Sequence, residues 1–258
     1  MRLKFFFLAL ISTLSLKAQK SYFEIVYNNF DSVHKPDFKS SIFLRQTDEV
    51  SISYMLPYEF SKIGLGDLKV NSKNEKVINY VFYGDTIKRY VFKNFMSNKL
   101  VFESPIDPIF REFKNFEDSL HPFMWELTDS VKFISGFICK NAKMRFRGRS
   151  YSAWYCLDIP IQNGPWKFGG LPGLIVEIYD SENFVFWKLE RINREIVSIP
   201  SWPQKIDGNF NDYRTSFKSN FLKFKKALES SDGISNANCK SCGGTTEILM
   251  RTPENLTY

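Results

Sequence analysis

Between Gly164 and Gly173, four glycines and two prolines fall within ten residues, and the chain then runs directly into Leu174-Ile175-Val176-Glu177-Ile178-Tyr179. Glycine tolerates backbone conformations closed to other residues, and proline fixes φ near −65°. Pro172-Gly173 has the composition of the central pair of a type II turn. The apolar run after it reads as a buried strand, ended by the turn Asp180-Ser181-Glu182-Asn183. The stretch is therefore a rigid bend feeding a strand. It is not a phosphate-binding loop, because no Lys-Ser or Lys-Thr follows the glycines and the next element is not a helix.

The flanking sequence reads as β structure. Tyr22 to Phe30, Lys39 to Arg45 and Glu49 to Leu56 alternate polar with apolar or aromatic residues. Val77 to Tyr83 and Thr86 to Phe92 flank Gly84-Asp85, which suggests a hairpin, and Leu100 to Glu103 is a further short strand. Phe110, Phe113, Phe116 and Leu120 recur at helical spacing, so a short amphipathic helix is expected there. Within Val131 to Pro160, Phe133 to Arg145 and Ser150 to Ile159 form a hairpin about a turn at Arg147-Gly148. That register places Phe146 opposite Arg149 and Ala142 opposite Ala153, with Ala142, Met144, Phe146, Tyr151, Ala153 and Tyr155 on the buried face. Leu174 to Tyr179 and Val185 to Ile192 make another hairpin. Tyr213, Phe217, Phe221, Phe224 and Leu228 mark a helix over 211–230, with Arg214, Lys218, Lys223, Lys225 and Lys226 on its other face. Thr245 to Met250 is a candidate last strand. Many hairpins and no βαβ alternation imply a mainly β fold: a curved antiparallel sheet forming an open barrel or clasp, with one or two packed amphipathic helices.

Residues 1–18 have the form of a secretory leader. Arg2 and Lys4 precede an apolar segment, Phe5 to Leu16, of about twelve residues, too short for a membrane span. Cleavage before Gln19 leaves residues 19–258 as one β-rich domain, with a helix and cysteine-containing tail at 211–258. The net charge of +7 falls to +4 once Arg2, Lys4 and Lys17 are removed. A balance that small does not point to nucleic acid. The basic helix face is compatible with contact to an anionic membrane surface.

An exported chain with four cysteines suggests two disulfides. Continuing the hairpin register outward sets Cys139 opposite Cys156, a candidate pair. Cys239-Lys240-Ser241-Cys242 is open to three readings: a local disulfide, a redox pair or half of a metal site. His34 and His121 have no nucleophile signature beside them, and no zinc-protease, nucleophile-elbow or Walker pattern is present. The sequence therefore names no catalytic residue, no metal site and no cofactor. Carboxylates converging in space would escape such a reading.

Trp125, Gly136, Cys139 and Ala142, then Arg147-Gly148-Arg149, Ala153-Trp154, Ile159-Pro160, Gly164-Pro165 and Phe168-Gly169, lead in order to Gly170-Leu171-Pro172-Gly173-Leu174-Ile175. Over residues 125 to 180 the chain resembles the GLPGLI family of exported proteins of Gram-negative bacteria, named for that hexapeptide. The resemblance implies a location in the periplasm or at the outer membrane. It also implies an accessory role beside an outer-membrane protein, a TonB-dependent receptor-type barrel being the expected partner. It carries over no catalytic residue. Cys156 and the Cys239/Cys242 tail depart from the family pattern. Arg147, Arg149, Trp154, Trp166 and Lys167, basic and aromatic residues of the signature, are candidates for a partner-contacting surface. The leading expectation is a non-enzymatic periplasmic accessory or binding protein. Alternatives are a carrier of a lipid or other apolar ligand, and a hydrolase with spatially converged carboxylates.

Overall fold

The structure, a computed structural model, describes residues 22–30, 39–55, 65–70, 76–80, 89–106, 112–120, 123–182, 185–195, 199 and 201–230. The expected leader, both histidines, the Cys239/Cys242 pair and the expected strand at Thr245 to Met250 lie outside these residues.

The fold is mainly β and the sheet is open. Strands β1 (Tyr22–Phe30), β2 (Lys39–Gln46), β3 (Val50–Met55), β6 (Arg89–Asn94), β7 (Lys99–Pro105), β8 (Phe113–Ser119), β9 (Glu126–Ile134), β10 (Phe137–Phe146), β11 (Arg149–Cys156), β12 (Leu174–Asp180), β13 (Phe186–Glu195) and the two-residue β14 (Gly208–Asn209) form one twelve-stranded sheet. Its order is β14-β8-β7-β6-β3-β2-β1-β13-β12-β11-β10-β9. Every pairing is antiparallel except that of β14 with β8. Strands β4 (Leu65–Val70) and β5 (Lys76–Tyr80) pair only with each other. One helix, α1 (Phe210–Ser230), completes the described elements. It is not long and apolar enough to cross a membrane.

Local chemistry accounts for most of these elements. Asn209 Oδ1 accepts hydrogen bonds from the amides of Asn211 and Asp212, and Asp212 Oδ2 accepts from the amide of Asn209. This reciprocal cap satisfies donors that a helix start otherwise leaves unpaired. Phe210, Tyr213, Phe217 and Phe221 then bury one face of α1. The β10–β11 hairpin keeps the expected register, with Phe146 opposite Arg149 and Cys139 opposite Cys156. Its turn residues Arg147 and Gly148 have φ of 45° and 86°. Positive φ at both centres is the turn geometry whose twist suits a two-residue hairpin. All six side chains expected on its buried face are buried.

Three expectations are corrected. Residues 113–119 form a strand rather than a helix: β8 pairs with β7, Phe116 opposite Phe102, with the rings 5.8 Å apart. The helical spacing of phenylalanines there is overridden by cross-strand packing against β7 and against Tyr213 of α1. Among the described residues β5 does not pair with β6, which has β3 on one side and β7 on the other; residues 81–88, with the expected Gly84-Asp85 turn, lie outside them. The strand expected to run unbroken from Phe133 to Arg145 is two strands, folded at Ser135 and Gly136, where φ is 49° and 90°.

The interior has two parts. One gathers side chains of β1, β2 and β10 to β13 around Phe168, Leu171 and Ile175; the other gathers Val91, Leu100, Phe102 and Phe116 beneath Phe210, Tyr213 and Phe217 of α1. Trp166 packs against both. The connection from β11 to β12, which carries the glycine-rich bend, therefore lies where the two parts meet.

Candidate functional site

The bend is built from short local hydrogen bonds. The Phe168 amide donates to the Pro165 carbonyl, closing a turn in which Trp166 takes φ 52°. The Gly173 amide donates to the Leu171 carbonyl, two residues back, so Pro172 is the centre of a three-residue turn. This corrects the expected type II turn. Gly173 does not take positive φ; glycine is required there because a Cβ would lie 2.1 Å from the Cys156 carbonyl oxygen. The bend thus presses its backbone onto the end of β11. Gly173→Ala is expected to shift β12 against β11 and destabilise the fold by about 3 kcal/mol, the upper end of ordinary overpacking costs. A lowered urea midpoint at unchanged slope would show it; an unshifted midpoint would contradict the close approach.

Asn163 is the hub of the bend. Gln46, Ser51 and Lys93 lie directly opposite one another across β2, β3 and β6 and form a polar row facing it. The Asn163 side-chain amide donates to Gln46 Oε1 at 2.6 Å and Ser51 Oγ at 3.0 Å. Its Oδ1 accepts from Lys93 Nζ at 2.7 Å and from the Gly164 amide at 2.8 Å. Lys93 is fully buried and also donates to the carbonyls of Phe168 (2.7 Å) and Gly164 (3.3 Å). Three acceptors match the three donors of an ammonium group. Burial nevertheless holds the Lys93 pKa well below the usual lysine value. The main chain of Asn163 is occupied too, its carbonyl accepting from the Ile175 amide.

A second node lies at the other end of the bend. Arg147, on the β10–β11 turn, grips Asp118 at the end of β8 through two 2.8 Å bonds, and Lys167 Nζ reaches Asp118 Oδ2 at 3.1 Å. All three side chains are buried. Burial pushes the Asp118 carboxyl up, but Lys167 and Arg147 outweigh it and hold the group below its usual value. Aromatic rings close the node: Arg147 Cζ lies 3.2 Å from the Phe210 ring centroid and Lys167 Nζ 3.4 Å from that of Phe102. Arg149 makes a parallel arrangement, bonding Asp180 at 2.8 Å and Glu182 at 3.0 Å, while Asp180 also accepts from the Val185 amide.

These contacts correct the expected partner surface. Arg147, Arg149 and Lys167 are buried and bind carboxylates of this chain. Trp154 and Trp166 are half-buried; Trp166 packs on Phe168 and Trp187, and Trp154 lies beneath Lys132. Of the hexapeptide, Leu171, Gly173, Leu174 and Ile175 are buried and Gly170 and Pro172 exposed. Sequence reasoning missed Gln46, Ser51, Lys93, Asp118 and Asn163. A lysine two residues after Val91, on the same face of an otherwise apolar strand, was the available signal for Lys93.

Cys139 and Cys156 are both buried free thiols, which corrects the expected disulfide. Directly opposed strand positions hold Cβ atoms roughly 4.5–5.5 Å apart, wider than the roughly 3.5–4.5 Å of a disulfide. Burial, and then the neighbouring Cys156, raise the Cys139 pKa to about 11. Among the described residues, no group of three or more His, Cys, Asp or Glu side chains is placed to hold a metal ion.

A family model described as "Protein of unknown function (Porph_ging)" matches residues 147–177, from the hairpin turn to Glu177 in β12, a span that holds Arg147, Arg149, Asn163 and Lys167. No curated protein matches the sequence. Among solved structures, the chain aligns with PNGF-II in its C2 crystal form at 15% identity and a TM-score of 0.47, covering 76% of this chain and 32% of that one. With the P21 form the identity is 14% and the TM-score 0.48, covering 77% and 33%. The chain spans about a third of the length of those structures. Over its bend and the adjoining strands, this chain is thus similar to a family to which no function has been assigned.

Proposed function

We propose that the chain is an exported, non-enzymatic accessory or binding protein of the cell envelope, a GLPGLI-type protein that works beside an outer-membrane assembly. The observation that carries the reading is the direction in which the polar side chains of residues 147–177 point. Arg147, Arg149, Asn163, Lys167 and Glu177 are turned inward and bind groups of this chain: Asp118, Asp180, Lys93, Gln46 and Lys132. Their chemistry is used to lock one bend to two parts of the sheet, which favours a scaffold over a reaction centre. The sequence supplies the rest: the leader-like residues 1–18 and the hexapeptide at 170–175. The carrier alternative is less favoured, because the face beneath α1 is filled by Phe102, Phe116, Phe210 and Tyr213 with ring centroids 5.2–6.5 Å apart.

Affinity capture from detergent-solubilised envelopes tests this reading. Recovery of an outer-membrane barrel by the tagged chain, in amounts near one to one, is the expected result. Capture of no outer-membrane protein, or fractionation of the chain with the cytoplasm, would overturn it.

A further inference from the structure

Strand β9 ends the sheet, and among the described residues only β10 pairs with it. Its other flank is an open edge, a row of amides and carbonyls with no partner strand among those residues. The hairpin register shows which groups these are. Phe146 and Arg149 flank the two-residue turn as a hydrogen-bonded pair, and bonded and non-bonded pairs then alternate along β10 and β11. Counted outward, Cys139 and Cys156 are a non-bonded pair, so the Cys139 amide and carbonyl turn toward Lys132 of β9. Val131 and Phe133, on either side of Lys132, therefore turn theirs to the open edge. Two devices that usually blunt an edge, a lysine and a bulge, are here directed inward. Lys132 leans over Trp154 and bonds Glu177 at 2.9 Å. The irregularity opposite Asn141 is filled from within, Thr128 Oγ donating to Asn141 and accepting from the Ser130 amide.

The side chains along this edge complement their own reverse. Leu127, Val131 and Phe133 are 62%, 61% and 72% exposed and share a face with Lys140, which lies opposite Val131. Asp129 is exposed between Leu127 and Val131. Glu126 lies opposite Lys143, and Lys132 is held by Glu177, but Asp129 and Lys140 form no ion pair among the described residues. We propose that β9 pairs antiparallel with β9 of a second copy, about a twofold axis at Ser130, so that two sheets continue into one. Leu127 of each copy then lies opposite Phe133 of the other, and Asp129 lies opposite Val131, with Lys140 on the strand beyond. From Asp129 to Lys140 is two strand spacings, roughly 9–10 Å, which a lysine stem and a carboxylate span together. Two features select this occupant. An open strand edge is satisfied by another strand, through main-chain hydrogen bonds. The anion on one side of Ser130 and the cation on the other match a reversed copy at two places, whereas a parallel copy sets like against like. The interface goes beyond the accessory role proposed above and does not depend on it.

Sedimentation equilibrium of the purified chain over a range of concentrations tests it, and a dimer is expected. Asp129→Lys and Lys140→Glu each set like charges across the twofold at two places, so either one alone should raise the dimer Kd about tenfold or more. Mixed in equal amounts, the two variants set opposite charges at both places, and dimers should return. Both side chains are exposed, so circular dichroism and Tm should be unchanged. Should a variant fail that check, amide exchange of the wild-type chain decides. The Val131 and Phe133 amides should gain protection as the dimer forms, while that of Lys132, bonded to β10 in either state, changes little. A wild-type chain that stays monomeric, or a dimer that both variants leave intact, would overturn the proposal. So would a mixture no more dimeric than its components, or Val131 and Phe133 amides that exchange alike in monomer and dimer. Oligomeric state and capture of an outer-membrane protein are separate measurements, and either can fail alone.

Discussion

Asp118→Ala is expected to destabilise the fold by about 3–5 kcal/mol, the cost of removing one partner from a buried ion pair. Arg147 and Lys167 converge on this one carboxylate, and both are closed off by the rings of Phe210 and Phe102. Neither cation can reach water without moving α1 or the hairpin turn. A loss of that size is a large part of the roughly 5–15 kcal/mol that holds a typical domain together. Chemical denaturation at pH 7 measures it, and a loss below about 1 kcal/mol would mean that the cations find other partners. The pH dependence gives a second check. The folded-state pKa of Asp118 is lowered from 3.8, so its contribution is complete above that value and is lost as pH falls through the depressed one. Asp118→Asn removes this acid limb. Wild-type and Asp118→Asn stability curves that run parallel below about pH 4 would contradict the ion-pair account.

Asn163→Ala is expected to cost about 4 kcal/mol, since four side-chain hydrogen bonds are lost at about 1 kcal/mol each and the one from Lys93 exceeds that average. The substitution strips Lys93 of its best-placed side-chain acceptor while leaving it fully buried. Lys93→Met placed in the Asn163→Ala background should therefore recover part of the loss, because the poorly satisfied cation is then gone. Simple additivity of the two substitutions in a double-mutant cycle would show that the Asn163–Lys93 contact carries no coupling energy.

What the sequence revealed was governed by local rules. The β10–β11 register follows from one two-residue turn and strict alternation, and the structure keeps it to the last pair, Cys139 and Cys156. Helix α1 was readable from its apolar stripe; the Asn209–Asp212 cap emerged only in the structure. The strand at 113–119 was misread because Phe113 and Phe116, three residues apart, keep the helical period, and only Phe102 and Tyr213, distant in sequence, override it. The candidate site was hidden for the same reason. Lys93 and Asn163 lie 70 positions apart, and Asp118 lies 29 from Arg147 and 49 from Lys167, separations that no local motif spans. Arg147, Arg149 and Lys167 looked like surface because charged side chains usually are. Their partners, Asp118 and Asp180, carry no signal of burial in their own neighbourhoods.

The place of β1 in the sheet has a kinetic consequence. It sits between β2, its immediate successor, and β13, so Tyr22 lies opposite Glu195. A chain synthesised from its amino end can zip β1 to β2 early. The opposite flank of β1 must then wait, bare, until residues 186–195 have emerged. Partnerships this distant form slowly, and naked strand flanks invite wrong neighbours in the interval. Assembly of this protein should accordingly be most vulnerable before β13 arrives.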